Sequence, residues 1–161
     1  MKFELQEVKE QNKEVIYNLM QLYTYELSFF EDETTDFKLL DSGLYVMSKY
    51  VGMYWTSEKR HPYILKCDNE LAGFVLQRFN EDDKNEIAEF FVLNKYRRSG
   101  AGKFMANKMF ELYKGPWEVR TLLKNKRAQD FWRNVIKEYS NNNFEEKLIR
   151  DNTRLAFYFE S

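Results

Sequence analysis

The chain has 161 residues and a mass of 19.6 kDa, which fits a single domain over residues 1–161. Hydrophobic residues make up 43% of it and aromatic residues 17%, enough apolar mass for a packed core, so extensive disorder is excluded. The 25 Lys and Arg residues against 26 Asp and Glu residues leave a formal net charge of -1, which disfavours binding driven by bulk attraction to nucleic acid or to an anionic membrane.

The chain carries no sign of export or of membrane insertion. Its one cysteine, Cys67, cannot form an internal disulfide, so nothing requires an oxidising compartment. The N-terminus alternates polar with apolar residues, unlike a secretory signal, and no apolar run approaches the length of a membrane-spanning helix. We therefore expect a soluble cytoplasmic protein.

The N-terminal part of the sequence predicts one strand and two helices. Residues 3–8 alternate as a short strand, and residues 11–30 carry apolar side chains at helical spacing. An acidic segment, residues 31–36, ends that helix. Residues 44–54 predict a second helix, weakened by Gly43 and Gly52.

The remainder of the chain predicts mostly strands. Residues 63–67 and 70–79 form a hairpin around a two-residue turn, because Asp68 and Asn69 tolerate positive φ. The elements that follow are a strand at 86–93, a helix at 103–113, a strand at 117–123, a helix at 127–139, and strands at 144–149 and 154–159. This order indicates an α/β (α+β) fold in which one mixed sheet is flanked by helices.

The segment from Ile87 to Lys103 is the most informative stretch. It combines an apolar strand, a basic turn containing Gly100 and Gly102, and the start of a helix. Glycines let the backbone approach a ligand closely, and the unpaired N–H groups at a helix start attract anions, so this turn suits a phosphate. An ordinary strand-to-helix turn with solvated Arg and Lys residues explains the segment equally well. The Walker A pattern and the dinucleotide fingerprint both fail here, since their required Gly positions hold Arg97 and Met105.

Two blocks resemble the GCN5-related N-acetyltransferase (GNAT) superfamily. Arg97-Arg98-Ser99-Gly100-Ala101-Gly102 resembles its acetyl-CoA loop, Arg/Gln-x-x-Gly-x-Gly/Ala, which follows the fourth strand. Residues 125–132, with Asn125, Ala128 and Phe131, resemble its Asn-x-x-Ala-x-x-Leu/Phe-Tyr segment. The resemblance implies a mostly antiparallel sheet of about seven strands with about four helices. More narrowly, the chain is similar to a bacterial subgroup described only as predicted acetyltransferases.

The resemblance also implies acetyl-CoA as the co-substrate, without a metal. Loop amides would hold the pyrophosphate, the end of the fourth strand would hold the pantetheine arm, and Asn125 would lie near the thiol. The implied cofactor-binding residues are Phe91, Val92, Leu93, Arg97, Arg98, Ser99, Gly100, Ala101, Gly102, Lys103, Asn125, Arg127, Ala128 and Phe131. For Arg127, a solvated position at a helix start is an equally good interpretation.

Catalysis in the family is direct attack of an amine on the thioester. Glu89, on the strand that carries the cofactor, is the best candidate for the base, although pairing with an Arg or exposure to solvent is the alternative. Trp132 occupies the position where many members have a tyrosine as the general acid, and an indole cannot give up that proton. Tyr139 would replace it as the acid, or else Tyr23, Tyr25 or solvent.

The acceptor site implied by the resemblance is bordered by the first two helices and by the last two strands, with the aromatic residues 157–159. Its candidate residues are Tyr23, Tyr25, Glu26 and Trp55, and aromatic walls near the acidic segment 31–36 would suit a cationic amine. Simple core packing is the alternative for the aromatic residues. With one His and one Cys, the chain has no metal-ligand cluster, and His61 is expected to be structural.

These expectations leave two hypotheses about function. The first is an acetyl-CoA-dependent N-acetyltransferase that acts on a primary amine of a small molecule or peptide. The alternative is a CoA-binding sensor or interaction module with little or no catalysis, which the tryptophan at position 132 favours. Neither nucleic acid nor a membrane is expected as a partner, and exposed aromatic residues would be consistent with a homodimer.

Overall fold

The computed structural model describes residues 1–32 and 35–161 and consists of one sheet with helices on both faces. The strands are β1 (Phe3–Glu7), β2 (Arg60–Cys67), β3 (Glu70–Phe79), β4 (Asn85–Val92), β5 (Pro116–Leu122), β6 (Phe144–Ile149) and β7 (Arg154–Glu160). Their order in the sheet is β1-β2-β3-β4-β5-β7-β6, and every pair is antiparallel except β4 with β5. The predicted mixed, mostly antiparallel sheet of seven strands is confirmed.

Within residues 1–32 and 35–161, three α-helices accompany the sheet, against about four expected. They are α1 (Glu14–Leu27), α2 (Ala101–Leu112) and α3 (Lys126–Tyr139). Among the described residues no helix is long and apolar enough to cross a bilayer. The helix expected at residues 11–30 is shorter than predicted, because 3-10 turns at Glu10–Asn12 and Ser28–Phe30 flank α1.

The second helix expected at residues 44–54 is wrong. A bridge joins Leu39 to Tyr45, and only Val51–Trp55 winds as a 3-10 helix. The side chain of Gln21 on α1 accepts a hydrogen bond from the Tyr45 N–H at 2.7 Å and donates one to the Tyr45 carbonyl at 3.2 Å. Both backbone polar groups of Tyr45 are therefore bonded to α1 instead of to a helix of their own segment. Within the acidic segment 31–36, Glu33 and Thr34 lie outside the described residues.

Both faces of the central strands are buried, which explains why β3 reads as one apolar run. Val75 faces the core formed with α2 and α3, whereas Phe74 and Leu76 face the core formed with α1. A strand covered on both faces carries apolar residues at consecutive positions instead of alternating ones. The helices α1 and α3 therefore lie on opposite faces of β4.

The strands β4 and β5 separate after a short parallel contact. They pair only over residues 85–87 and 117–119, after which β4 continues along β3 and β5 along β7. A bulge lies at the point of separation, because Leu76 pairs with Glu89 while Gln77 pairs with Ile87. Bulges bend a strand and redirect its side chains. The result is a cleft between residues 88–92 and residues 120–122.

We expect Gly73→Ala to destabilise the edge of this cleft. A Cβ at Gly73 would lie 2.1 Å from the carbonyl oxygen of Phe91, so β3 or β4 would have to shift. Overpacking of this kind costs about 1–3 kcal/mol of the free energy of unfolding. Thermal unfolding measures it. Gly52→Ala is the matched control, since its Cβ would lie an ordinary 3.5 Å from the Tyr17 hydroxyl, and equal melting temperatures for both variants would contradict this packing.

Candidate active site

The turn before α2 presents a row of unbonded backbone amides. Gly100 (φ 91°) caps the helix without a side-chain bond, and Arg98 also has positive φ (62°). The first backbone bond of the helix runs from the Phe104 N–H to the Gly100 carbonyl, and the amides of residues 98–103 make no hydrogen bond to any described residue. Such a row at a helix N-terminus binds anions through aligned N–H dipoles.

Side chains of the turn hold its backbone in place. The hydroxyl of Ser99 donates to the Tyr96 carbonyl at 2.6 Å, and Nε of Arg97 donates to the Val92 carbonyl at 2.8 Å. The guanidinium of Arg97 also pairs with Glu26 on α1 and lies over the Phe91 ring. Arg97 therefore ties the end of β4 to α1.

A cavity of about 400 Å³ occupies the cleft beside the turn; we call it the donor cavity. It is lined by most of the cofactor-binding candidates: Phe91, Val92, Arg97, Arg98, Gly100, Gly102, Lys103, Asn125, Arg127, Ala128 and Phe131. The other three candidates lie outside it: Leu93, Ser99 and Ala101. The Leu93 N–H donates to the Ala72 carbonyl at 2.8 Å, and the side chain of Ala101, the first residue of α2, is fully buried, so Ala101 can contribute only through its backbone.

Two residues shape the wall of the donor cavity that faces α3. A Cβ at Gly102 would lie 3.1 Å from the Phe131 ring, so the absence of a side chain there lets α2 and α3 approach closely. The side chain of Asn125 caps α3 by accepting from the Ala128 N–H at 3.0 Å, which leaves its amide N–H₂ for a ligand. Arg127 is exposed on the rim.

A second cavity, of about 340 Å³, adjoins the first; we call it the acceptor cavity. Both cavities share the wall residues Tyr23, Leu27, Phe90, Asn125, Ala128 and Trp132. Trp132 packs edge-on against Phe90, with ring centroids 4.7 Å apart, and forms pocket wall. A group bound in one cavity is therefore within reach of a group bound in the other.

Glu89 lines the acceptor cavity and is half-buried there. The bulge in β4 redirects its side chain, and the Tyr23 hydroxyl on α1 lies close enough to its carboxyl group to influence its pKa. Burial raises the pKa of Glu89 to about 7, against the lowering effects of the Tyr23 hydroxyl and of Arg78. Such a carboxylate can accept a proton near neutral pH.

Tyr23 stands at the junction of the two cavities. Its ring packs against Phe74 and Phe91, and its hydroxyl lies beside both the Glu89 carboxyl and the backbone N–H of Phe90. Burial, followed by the nearby charge of Glu89, raises the pKa of Tyr23 well above its usual value. The hydroxyl is therefore protonated at neutral pH and can donate.

The structure does not bring the other predicted side chains to this junction. Tyr139 packs against Phe110 at the far end of α3, and its hydroxyl accepts from Lys114 at 3.0 Å. Tyr25 is 71% exposed, and Trp55 donates to the Val8 carbonyl at 2.8 Å; neither lines a cavity. Glu26 lines the donor cavity, where Arg97 neutralises it. The predicted acid role of Tyr139 and substrate roles of Tyr25 and Trp55 thus lack the required placement.

The sequence interpretation missed the charged lining of the acceptor cavity. Four arginines line it together with Glu86 and Glu89: Arg78, Arg120, Arg150 and Arg154. The sequence did contain a signal: Glu86 and Arg120 are charged residues inside otherwise apolar strands. An alternating strand pattern alone, however, places such residues on the face exposed to solvent. In the part of the chain that the structure describes, no group of His, Cys, Asp and Glu side chains could hold a metal ion.

Comparison with known proteins assigns the family. The fold matches an acetyltransferase from Thermus thermophilus (10% identity, TM-score 0.71, 100% and 98% of the two chains covered). It also matches a GNAT acetyltransferase from Staphylococcus aureus (14%, 0.65, 99% and 99%). A third match is the PaiA N-acetyltransferase from Thermoplasma acidophilum in complex with coenzyme A (12%, 0.64, 100% and 100%). At such identities the likeness establishes the fold alone.

The sequence itself provides the decisive match. No curated protein matches the chain significantly. The model of the acetyltransferase (GNAT) family, however, matches residues 16–135, well over half of the chain, including the turn at 97–102 and the whole block at 125–132. Acetyl-CoA is the co-substrate of this family, and the unbonded amides of residues 98–103 suit its diphosphate. The chain therefore belongs to the GNAT family of acetyl-CoA-dependent N-acetyltransferases.

Proposed function

We propose that this acetyltransferase transfers the acetyl group of acetyl-CoA to a primary amine of a small molecule or peptide held in the acceptor cavity. The observation that carries the proposal is the junction between the cavities. There Glu89 and Tyr23 stand beside the wall that separates the anion-binding turn from a second, polar cavity.

The donor side is arranged for a diphosphate and an extended arm. Backbone amides of residues 98–103 would bind the diphosphate, supported by the charges of Arg98 and Lys103. The arm would run towards Asn125 along residues 88–92 of β4, which do not pair with β5. The Phe90 N–H, beside the Tyr23 hydroxyl, is then the donor available to the thioester oxygen, where a preorganised N–H stabilises a developing oxyanion.

The acceptor side supplies the base. Glu89 takes a proton from the bound ammonium group, directly or through one water molecule, and the free amine then attacks the thioester carbon. A new C–N bond forms, the nitrogen releases its second proton to solvent, and the C–S bond breaks, so the thiolate leaves. A pKa of about 7 leaves Glu89 ionised in a useful fraction of molecules at neutral pH.

Tyr23 supplies the acid that Trp132 cannot. Its hydroxyl is protonated and lies beside Glu89, and the residue lines both cavities. Donation to the departing thiolate, with the proton replaced from protonated Glu89, returns both groups to their starting states. This assigns to α1 the acid role that the family resemblance places on α3.

Two measurements test the proposal. Isothermal titration should show one acetyl-CoA bound per chain, and thiol release should depend on an added primary amine. Binding without turnover on any amine would contradict the proposal and favour a CoA-binding sensor or interaction module.

We expect Tyr23→Phe to lower kcat about 10²-fold, because general acid catalysis contributes about 10²–10⁴-fold and solvent replaces part of it. The Kd of acetyl-CoA, measured by titration, should change little, since the ring and its packing remain. Tyr25→Phe is the matched control: the same atom is lost two residues away on an exposed side chain, and kcat should be unchanged. Equal kcat values for both variants would remove Tyr23 as the acid.

A further inference from the structure

The lining of the acceptor cavity is dominated by guanidinium groups. Arg78 enters from β3, Arg120 from β5, Arg150 from the turn after β6, and Arg154 from β7. The carboxylates that line the same cavity are Glu86 and Glu89. Four elements of the sheet thus converge on one space with cationic side chains.

Most of these guanidiniums are already oriented by carboxylates. Arg78 donates to Glu86 from Nε at 3.2 Å and from one terminal nitrogen at 3.0 Å, in a two-point pair. Arg120 donates from Nε to Glu118 at 2.5 Å, and Arg154 pairs with Asp32 at 3.3 Å. Glu118 and Asp32 do not line the cavity, so they orient Arg120 and Arg154 from outside it.

The pairing leaves donors directed at the cavity. A guanidinium has five N–H groups. Both bonds between Arg78 and Glu86 use Nε and one terminal nitrogen, so the other terminal nitrogen of Arg78 remains available. Arg150 forms no side-chain ion pair with a described residue. With Glu86 engaged by Arg78, Glu89 is the carboxylate left in the lining to meet a bound amine.

Such a lining is poorly matched to a polycation. Glu86 is engaged by Arg78, so a polyamine would find Glu89 as the one carboxylate of the lining for its several ammonium groups, and the others would lie near Arg150, which pairs with no described carboxylate. A molecule with one amine and one anionic group fits better, because its amine can face Glu89 while its anion meets guanidinium N–H groups in the bidentate geometry that carboxylates and phosphates accept. This departs from the cationic acceptor expected from the sequence.

We propose that the acceptor is a small primary amine that carries a carboxylate or phosphate close to the amine, bound with its anion on the arginines of the acceptor cavity. The inference rests on the proposed function and specifies the substrate class. The amine then lies beside Glu89 and the shared wall, and the anion lies towards Arg78, Arg120 and Arg150.

Matched acceptors test the substrate class. Thiol release is measured with an α-amino acid and its α-carboxamide, with phosphoethanolamine and ethanolamine, and with spermidine. We expect kcat/KM to be at least about tenfold higher for the anionic member of a pair, since one charge-assisted hydrogen bond contributes about 1.5–3 kcal/mol. A preference in the first pair alone identifies a carboxylate, and in the second pair alone a phosphate. Equal or better turnover of the neutral amines or of spermidine overturns the inference and leaves the proposed function standing. Turnover of none of them, with acetyl-CoA bound, overturns both.

A variant tests the position of the anion. Arg150 is exposed and has positive φ (52°), a conformation that Asn tolerates, so Arg150→Asn should fold normally. We expect the KM of the anionic acceptor to rise about threefold or more, with the Kd of acetyl-CoA and the KM of the neutral partner unchanged. Lys147→Gln removes the same charge from an exposed position outside both cavities and should change none of these values. A KM that rises equally for both members of the pair would overturn the assignment of the anion to this cavity.

Discussion

Glu89→Gln should lower kcat by about 10²–10⁴-fold and leave the Kd of acetyl-CoA unchanged, because the amide keeps the shape of the side chain but cannot accept a proton. Glu89 lies in the acceptor cavity and not in the donor cavity, so the two constants should separate. Thiol-release kinetics and titration calorimetry measure them. Glu14→Gln, at an exposed position at the start of α1, is the control and should match the wild type.

The same variant should change the dependence on pH. The pKa of Glu89 is raised to about 7, so the wild-type kcat/KM should rise with pH through a midpoint near 7 as the base loses its proton. In Glu89→Gln this limb should vanish. Persistence of the limb in the variant would remove Glu89 as the base.

The free energy of unfolding should fall as the pH rises, in contrast to kcat/KM, which should rise. A carboxyl whose pKa is raised on folding binds more protons in the folded state than in the unfolded state between its usual value and about 7. The contribution of Glu89 to the free energy of unfolding therefore declines as the pH rises through that window and is fully present below it. Denaturant unfolding at several pH values should show that the free energy of unfolding of the wild type declines through this window. In Glu89→Gln this decline should be absent.

Gly100→Asp should abolish measurable binding of acetyl-CoA. The glycine has φ 91°, and its amide belongs to the unbonded row at residues 98–103. An aspartate would add a side chain and a negative charge at the edge of the donor cavity, where a diphosphate would bind. Titration calorimetry with acetyl-CoA measures the loss.

Backbone strain alone could also weaken this variant, so a strained control is required. Gly43 has a similar φ of 79°, a Cβ there would meet no atom within 4 Å, and the residue lies outside both cavities. Gly43→Asp therefore carries comparable strain and the same charge, and it should bind acetyl-CoA like the wild type. Loss of binding in both variants, or in neither, would contradict the assignment of the turn.

Most of the residues that local patterns indicated for the donor side line the donor cavity. The turn from Arg97 to Gly102 depends on residue types that shape the backbone over a few positions, and the helix that follows supplies its amides. Apolar spacing likewise indicated the strands and the helices at α2 and α3. The error at residues 44–54 arose because the hydrogen bonds of Tyr45 go to Gln21, a partner 24 positions away that no local pattern records.

The acceptor side could not be predicted in this way. Glu89 was identified from its strand, but the position of the Tyr23 hydroxyl beside it depends on how α1 crosses the sheet. Tyr25 shares the chemistry of Tyr23, and Trp55 is aromatic like it, but the direction of each side chain differs, which the sequence does not encode locally. The arginines come from four separate elements and meet only because β4 and β5 diverge.

The sequence by itself thus determined the family, the sheet and the turn that suits a diphosphate, because each depends on backbone conformation and on side-chain periodicity over short stretches. Only the tertiary structure decided which tyrosine faces Glu89, that Tyr139 lies far from it, and that the acceptor cavity is lined by arginine. The physical reason is that these properties depend on long-range packing: the bulge in β4 directs Glu89, and the separation of β4 from β5 opens the space that the distant side chains fill.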